Sequence, residues 1–105
     1  MVALPPLTLE QRRAALDKAT AARRERAGVK DALKHGSLSL PEVLASDSEA
    51  VRKMPVRVLL EALPGIGSVR AGQLISDLGI SERRRVRGLG TAQRARLLAL
   101  FPPRD

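Results

Sequence analysis

Apolar residues recur along this chain every three or four positions, and no stretch alternates apolar with polar as a half-buried strand would. The pattern predicts an all-α protein, with a long leading helix followed by a small helical domain. Thr8-Leu9-Glu10-Gln11 is a helix start, with Thr8 as N-cap and Gln11 closing a capping box. Pro5 and Pro6 hold the tail, 1–7, extended ahead of it. Strong helix formers continue to Lys34, and Gly36 suits a stop. Gly28 weakens the middle by about 1 kcal/mol relative to alanine. A continuous helix here is on the order of 40 Å long. Ala15, Ala22, Val29 and Leu33 form a narrow apolar strip along it, able to pack on the small domain. At about 100° per residue, Arg12, Arg23, Arg26, Lys30 and Lys34 share an arc of roughly 80° beside that strip.

Beyond Gly36 the predicted elements are short. Ser39-Leu40-Pro41-Glu42 opens a helix with a capping serine, a proline in the first turn and a glutamate at the third position. Residues 46–55 are polar and carry no net charge, so they form a connector with one helical turn near Glu49. Pro55 starts a helix over 56–63, and a further helix spans 68–78. Gly79 then Ile80 matches a left-handed C-cap with its hydrophobic contact. Ser81 caps a short turn, "SERRRV", and Thr91 caps a last helix that Pro102 and Pro103 end. The expected division is an extended tail, 1–7, a long basic helix, 8–36, and a compact domain, 37–105.

The corner Pro64-Gly65-Ile66-Gly67 joins two of these helices. Proline ends the first helix at Leu63, and the glycines can take positive φ. Successive amides in such a turn can form an anion-binding nest at the start of the next helix. The spacing recurs 23 residues later, where Gly88-Leu89-Gly90 falls on Gly65-Ile66-Gly67, and Thr91 on Ser68. The second copy has Arg87 in place of proline and follows Arg83, Arg84 and Arg85. Candidate phosphate contacts are therefore Pro64, Gly65, Ile66, Gly67, Ser68 and Arg70 at the first corner. At the second they are Arg84, Arg85, Arg87, Gly88 and Gly90. Arg12, Arg23, Arg26, Lys30 and Lys34 are a candidate second surface. The same glycines also serve tight turns that bind nothing, and the same basic rows also occur as solvated faces.

Charge favours the binding alternative. Nineteen Lys+Arg against eleven Asp+Glu give +8, which predicts attraction to a polyanion. A membrane surface would want large apolar residues opposite the charge, and the long helix offers mainly alanine. Single-strand binders stack bases on aromatics, and this chain has only Phe101. Duplex backbone binding needs none. No asparagine and three scattered glutamines argue against base-edge readout. One histidine, His35, and no cysteine leave no zinc site, and the acids are dispersed, so no metal, cofactor or catalysis is expected. No secretion signal or span-length apolar run is present, which with the lack of cysteine fits a cytoplasmic protein.

The segments "ALPPLT", "EQR", "AALDKA" and "AARRERA", then "LLEALPGIG", "VRA", "LGI" and "RRVRGLG", follow one another in an order that resembles the actinobacterial integration host factor family. The resemblance covers most of the chain. It implies a helix-two-turns-helix, or helix-hairpin-helix-like, fold, and a nucleoid-associated binder of double-stranded DNA, which we expect to act as a monomer. Such a protein bends or compacts DNA and assists phage integrase in site-specific recombination. On that resemblance Pro64, Gly65, Ile66 and Gly67 are the hairpin and Arg84, Arg85 and Arg87 the basic turn of the DNA surface. Members often carry lysine where Ser68 stands, which puts the arginine turn first. A structural RNA binder of the ribosomal helix-two-turns-helix kind is the alternative. A module that meets an acidic protein partner is a third possibility.

Overall fold

The computed structural model describes residues 8–102; the expected tail, 1–7, and Pro103 lie outside them. Six α-helices and one 3-10 turn follow in order: α1 (Leu9–His35), α2 (Leu40–Leu44), α3 (Glu49–Arg52), α4 (Val56–Ala62), α5 (Gly67–Asp77), the 3-10 turn (Val86–Gly88) and α6 (Thr91–Leu100). The all-α expectation holds, and the first helix has its anticipated limits. The Thr8 hydroxyl accepts from the Gln11 N–H at 3.0 Å, and the Gln11 side chain accepts from the Thr8 N–H at 2.9 Å. Gly36 ends the helix in the left-handed region, at φ 77°. Ser39 caps α2 and Ser48 caps α3. Gly79 takes φ 68°, and the Ile80 N–H reaches back to Ile75 O at 2.8 Å. Ile80 is buried by that closure.

The core is one cluster with contributions from every α-helix. Leu33 of α1 and Leu40 of α2 meet Met54, Val56, Leu59 and Leu60 around α4, with Ala71 and Ile75 of α5 and Leu97 of α6 closing it. No polar or charged residue is buried among the described residues, so every charge is at the surface. Only the second half of α1 packs on this core, against α3 and α4. Its apolar strip is used at Leu33 and Val29, whereas Leu9 and Leu16 stand about two-thirds exposed. The arm gives the molecule a long dimension of 51 Å.

Two expected caps move toward the N-terminus, that of Ser68 by two residues and that of Thr91 by one. α5 begins at Gly67 and α6 at Thr91, with Ile66 and Gly90 in the cap positions. Ser68 and Thr91 therefore lie inside their helices, beyond the position from which a hydroxyl can cap. Gln93 does that work for α6: its Oε1 accepts from the Gly90 N–H at 3.0 Å. The turn at Ser81 is closed by backbone, from Arg84 N–H to Ser81 O at 3.0 Å. Met54 and Val56 pair with the arginine segment through a two-bond bridge, Val56 N–H to Arg84 O and Val86 N–H to Met54 O, each 2.9 Å.

Candidate nucleic-acid interface

At the first corner, proline biases its predecessor away from helix. Leu63 accordingly takes φ −67° and ψ 144°. The chain then reverses through two left-handed steps, Gly65 at φ 76° and Gly67 at φ 69°. An L side chain in either place costs roughly 1–2 kcal/mol in backbone strain. Ile66 between them is half-buried and packs on the core, which pegs the corner. A Cβ added at Gly65 or Gly67 would meet no atom within 4 Å. Backbone shape thus demands the glycines, and both face open space.

α5 starts from this corner with no side-chain cap, unlike α1, α2 and α3. Its leading N–H groups have no intrahelical acceptor and carry the positive end of the helix dipole. Ser68 is engaged elsewhere: its carbonyl and hydroxyl oxygens accept from Arg57 Nη2 at 3.1 and 3.3 Å. Arg70, in the first turn of α5, is exposed.

Charge reaches this corner from α1. An open cleft of about 690 Å³ is lined by Ala27, Lys30, Asp31 and Lys34 on one side and residues 61–67 on the other. The acids beside it have partners: Asp31 faces His35 at 3.3 Å and Glu61 accepts from Arg57 at 2.8 Å. Lys30 and Lys34 have no acidic partner among the described residues. The row expected to form a separate surface is therefore divided. Lys30 and Lys34 stand by the glycine corner, Arg26 is half-buried over α3, and Arg12 and Arg23 lie out along the arm.

The second corner has the charge but not the shape of the first, which corrects the expected repeat. Gly88 closes a 3-10 turn, and Gly90 is extended at φ −71° and ψ 158°; neither has positive φ. Arg87 replaces the proline, so nothing bars a helical step, and buried Val86 pins the turn inward. Arg84 folds over it, donating from Nη1 to Gly88 O at 2.9 Å. Arg83, Arg84, Arg85 and Arg87 are all exposed and have no acidic partner among the described residues.

This arginine segment is short of regular structure yet tied at several points. Gln93 bonds both ends, reaching Gly79 O and the Gly90 N–H at 3.0 Å each. The bridge to Met54 and Val56 holds its middle, and Glu82 binds Arg57. Arg57 was not a candidate from sequence; only its Glu61 partner, four residues on, was visible there. Arg52 was also overlooked, because the connector carrying it is neutral. It lines a crevice with Arg87, Arg94 and Asp47 between α2 and the 3-10 turn. Arg94 is itself anchored, donating from Nη2 to Leu44 O. Nearby, a hydrogen bond from Lys53, aided by the positive charges of Lys18 and Arg87, holds the Glu49 carboxyl below its ordinary value. Arg57 is held above its own by hydrogen bonds to Glu61 and then Glu82. Among the described residues there is no group of three or more His, Cys, Asp or Glu able to hold a metal, and no helix long and apolar enough to cross a membrane.

Known proteins share both the sequence and the shape. Residues 33–101 match the S13-like H2TH domain family. An integration host factor of Streptomyces coelicolor is 60% identical over 98 residues, covering 91% of this chain and 92% of that protein. One from Mycobacterium tuberculosis is 53% identical over 102 residues, covering 95% and 97%. A solved structure of sIHF bound to an 8bp palindromic DNA superposes with a TM-score of 0.79 at 55% identity, covering 81% of this chain and 98% of that one. The glycine corner, the uncapped helix and the arginine segment thus sit in a chain that belongs to the actinobacterial integration host factor family and carries its S13-like H2TH domain.

Proposed function

We propose that this chain is a nucleoid-associated protein that binds double-stranded DNA through its phosphates, with little preference for base sequence. The observation that carries the proposal is the corner at residues 64–67. Two left-handed glycines facing open space lead into an uncapped helix, with unpaired arginines on the neighbouring turn. Phosphate contacts of this kind position a protein without reading bases, and sequence preference then enters through DNA shape. The DNA bound to the similar sIHF structure supports duplex DNA as the ligand here. Bending or compaction, and help to an integrase during recombination, follow for this chain from its family. The role is one of binding, with no chemistry on the DNA.

Salt titration tests the interface directly. Arg84→Ala, Arg85→Ala and Arg87→Ala should each flatten the slope of log affinity against log salt by about one unit, as expected for one phosphate apiece. Unchanged slopes in all three variants would remove the arginine turn from the interface. The match to an S13-like domain keeps a second reading alive, binding of structured RNA. Competition between duplex DNA and a hairpin RNA at equal salt separates the two, and strong preference for RNA would replace the first.

A further inference from the structure

We propose that Arg57 is a positioning residue for DNA binding, whose guanidinium holds the arginine turn in register with the glycine corner and contacts no phosphate itself. This rests on the duplex-DNA reading above. A guanidinium has five N–H donors. In Arg57 all three nitrogens that carry them donate to protein acceptors. Nε donates to Glu61 Oε1 at 2.8 Å, Nη1 to the two Glu82 oxygens at 2.7 and 2.5 Å, and Nη2 to the carbonyl and hydroxyl oxygens of Ser68. One side chain therefore ties α4, the first turn of α5 and the turn that carries Arg83, Arg84 and Arg85. The fit includes Gly72 on α5. A Cβ there would stand 3.4 Å from both Nη1 and Nη2, an ordinary contact, which places the guanidinium against the helix at that residue.

Glu82 gains a purpose from this arrangement. It is the one acid among the six arginines of residues 79–101. On a surface that attracts a polyanion, a carboxylate beside three arginines is unfavourable by charge alone. As the partner of Arg57 it fixes where those arginines stand. Their ordering is then largely complete before DNA arrives, and less conformational freedom is lost on binding.

Glu82→Gln and Arg57→Lys give opposite expectations for positioning and for charge. The first raises the net charge by one and the second leaves it unchanged. A charge account predicts tighter binding by Glu82→Gln and wild-type binding by Arg57→Lys. The positioning account predicts that both bind a 20-bp duplex roughly three- to tenfold more weakly at fixed salt. The double variant should be no weaker than the weaker single one, because both break the same unit. Tighter binding by Glu82→Gln, or wild-type binding by Arg57→Lys, overturns the proposal. So does a loss of one unit of salt slope in Arg57→Gln, which would make Arg57 a phosphate ligand. If wild-type protein fails to bind the duplex at all, the DNA reading itself falls. If it binds, and Arg85→Ala loses its unit of slope while Glu82→Gln tightens, only the positioning role falls. Should a variant not fold by circular dichroism, amide order parameters of residues 82–85 in the wild-type protein decide. Values of about 0.8 or more support the proposal, and lower ones overturn it.

Discussion

Replacing Gly65 by alanine separates the two demands on the glycine corner. The residue sits at φ 76°, so an alanine is strained by roughly 1–2 kcal/mol. Reduced freedom of the unfolded chain returns about 0.4–1 kcal/mol. The added Cβ touches nothing within 4 Å, so no packing clash adds to this. The net loss is about 1 kcal/mol, which lowers the melting midpoint by about 4–8 °C in a domain of this size. DNA binding should suffer more, because the methyl group projects into the open space through which a phosphate would approach the α5 amides. We expect at least about a tenfold loss, or ~1.4 kcal/mol. Gly65→Asn isolates the cause, since asparagine tolerates the left-handed region and should restore much of the melting midpoint. Its side chain still occupies the approach, so binding should stay weak. Circular dichroism melts and fluorescence anisotropy with a labelled duplex read both quantities. If Gly65→Asn regains stability and affinity together, or Gly65→Ala melts lower yet binds as wild type, the corner is a turn and no phosphate comes near its backbone.

Other consequences concern the arm and the surface charges. Leu33→Ala, at a side chain only 1% exposed, should cost roughly 2–4 kcal/mol by denaturant unfolding and loosen α1 from α3 and α4. A chain beginning at Thr20 should melt close to the full protein, because residues 8–19 are all exposed. Lys30→Gln with Lys34→Gln should weaken binding to a short duplex and flatten its salt slope by up to about two units. Arg12→Gln with Arg23→Gln should leave short-duplex binding nearly unchanged and reduce compaction of long DNA seen by atomic force microscopy. The Glu49–Lys53 pair depresses the Glu49 carboxyl from its ordinary 4.5, so its stabilisation is complete above that pH and is lost as the pH falls through the lowered folded value. The difference in melting temperature between wild type and Glu49→Gln should therefore shrink from pH 7 to pH 3.

What was legible in the sequence was what four or five consecutive residues decide. The Thr8–Gln11 box, the Gly36 stop, the Ser39 cap and the Gly79–Ile80 closure are hydrogen-bond motifs of that length, and each formed as expected. The 64–67 corner was legible for the same reason, since proline and glycine restrict their own dihedrals. The apparent copy at 88–90 misled because glycine permits a left-handed step without requiring one. With no proline to break the helix and Val86 drawn into the core, that chain took a 3-10 turn. The caps fall two residues before Ser68 and one before Thr91, because Gly67 itself enters the first turn of α5 and Gly90 takes the cap of α6. The contacts of Arg57 with Ser68 and Glu82 span 11 and 25 residues and depend on how α4, α5 and the following turn are packed. No local pattern encodes them. The same holds for Lys30 and Lys34, whose nearness to the corner follows from how α1 lies across α4.

That packing changes what the two halves of the site supply. Along the sequence, the glycine corner has geometry and little charge, and its own helix offers only Arg70 nearby. In the fold, Lys30 and Lys34 approach from one side, and Arg57 binds the arginine turn to the α5 terminus on the other. Neither helper reshapes the corner: the lysines add charge across an open cleft, and Arg57 spends its donors on protein. Amides, which hold a phosphate at short range and fixed geometry, are thus kept apart from guanidiniums and ammoniums, which attract it over several ångströms. The division accounts for the bare glycine faces beside so much positive charge. On the proposed reading, a basic side chain within the corner would fill the space through which a phosphate approaches the backbone, whereas charge set around its rim would draw the phosphate in and leave that space clear.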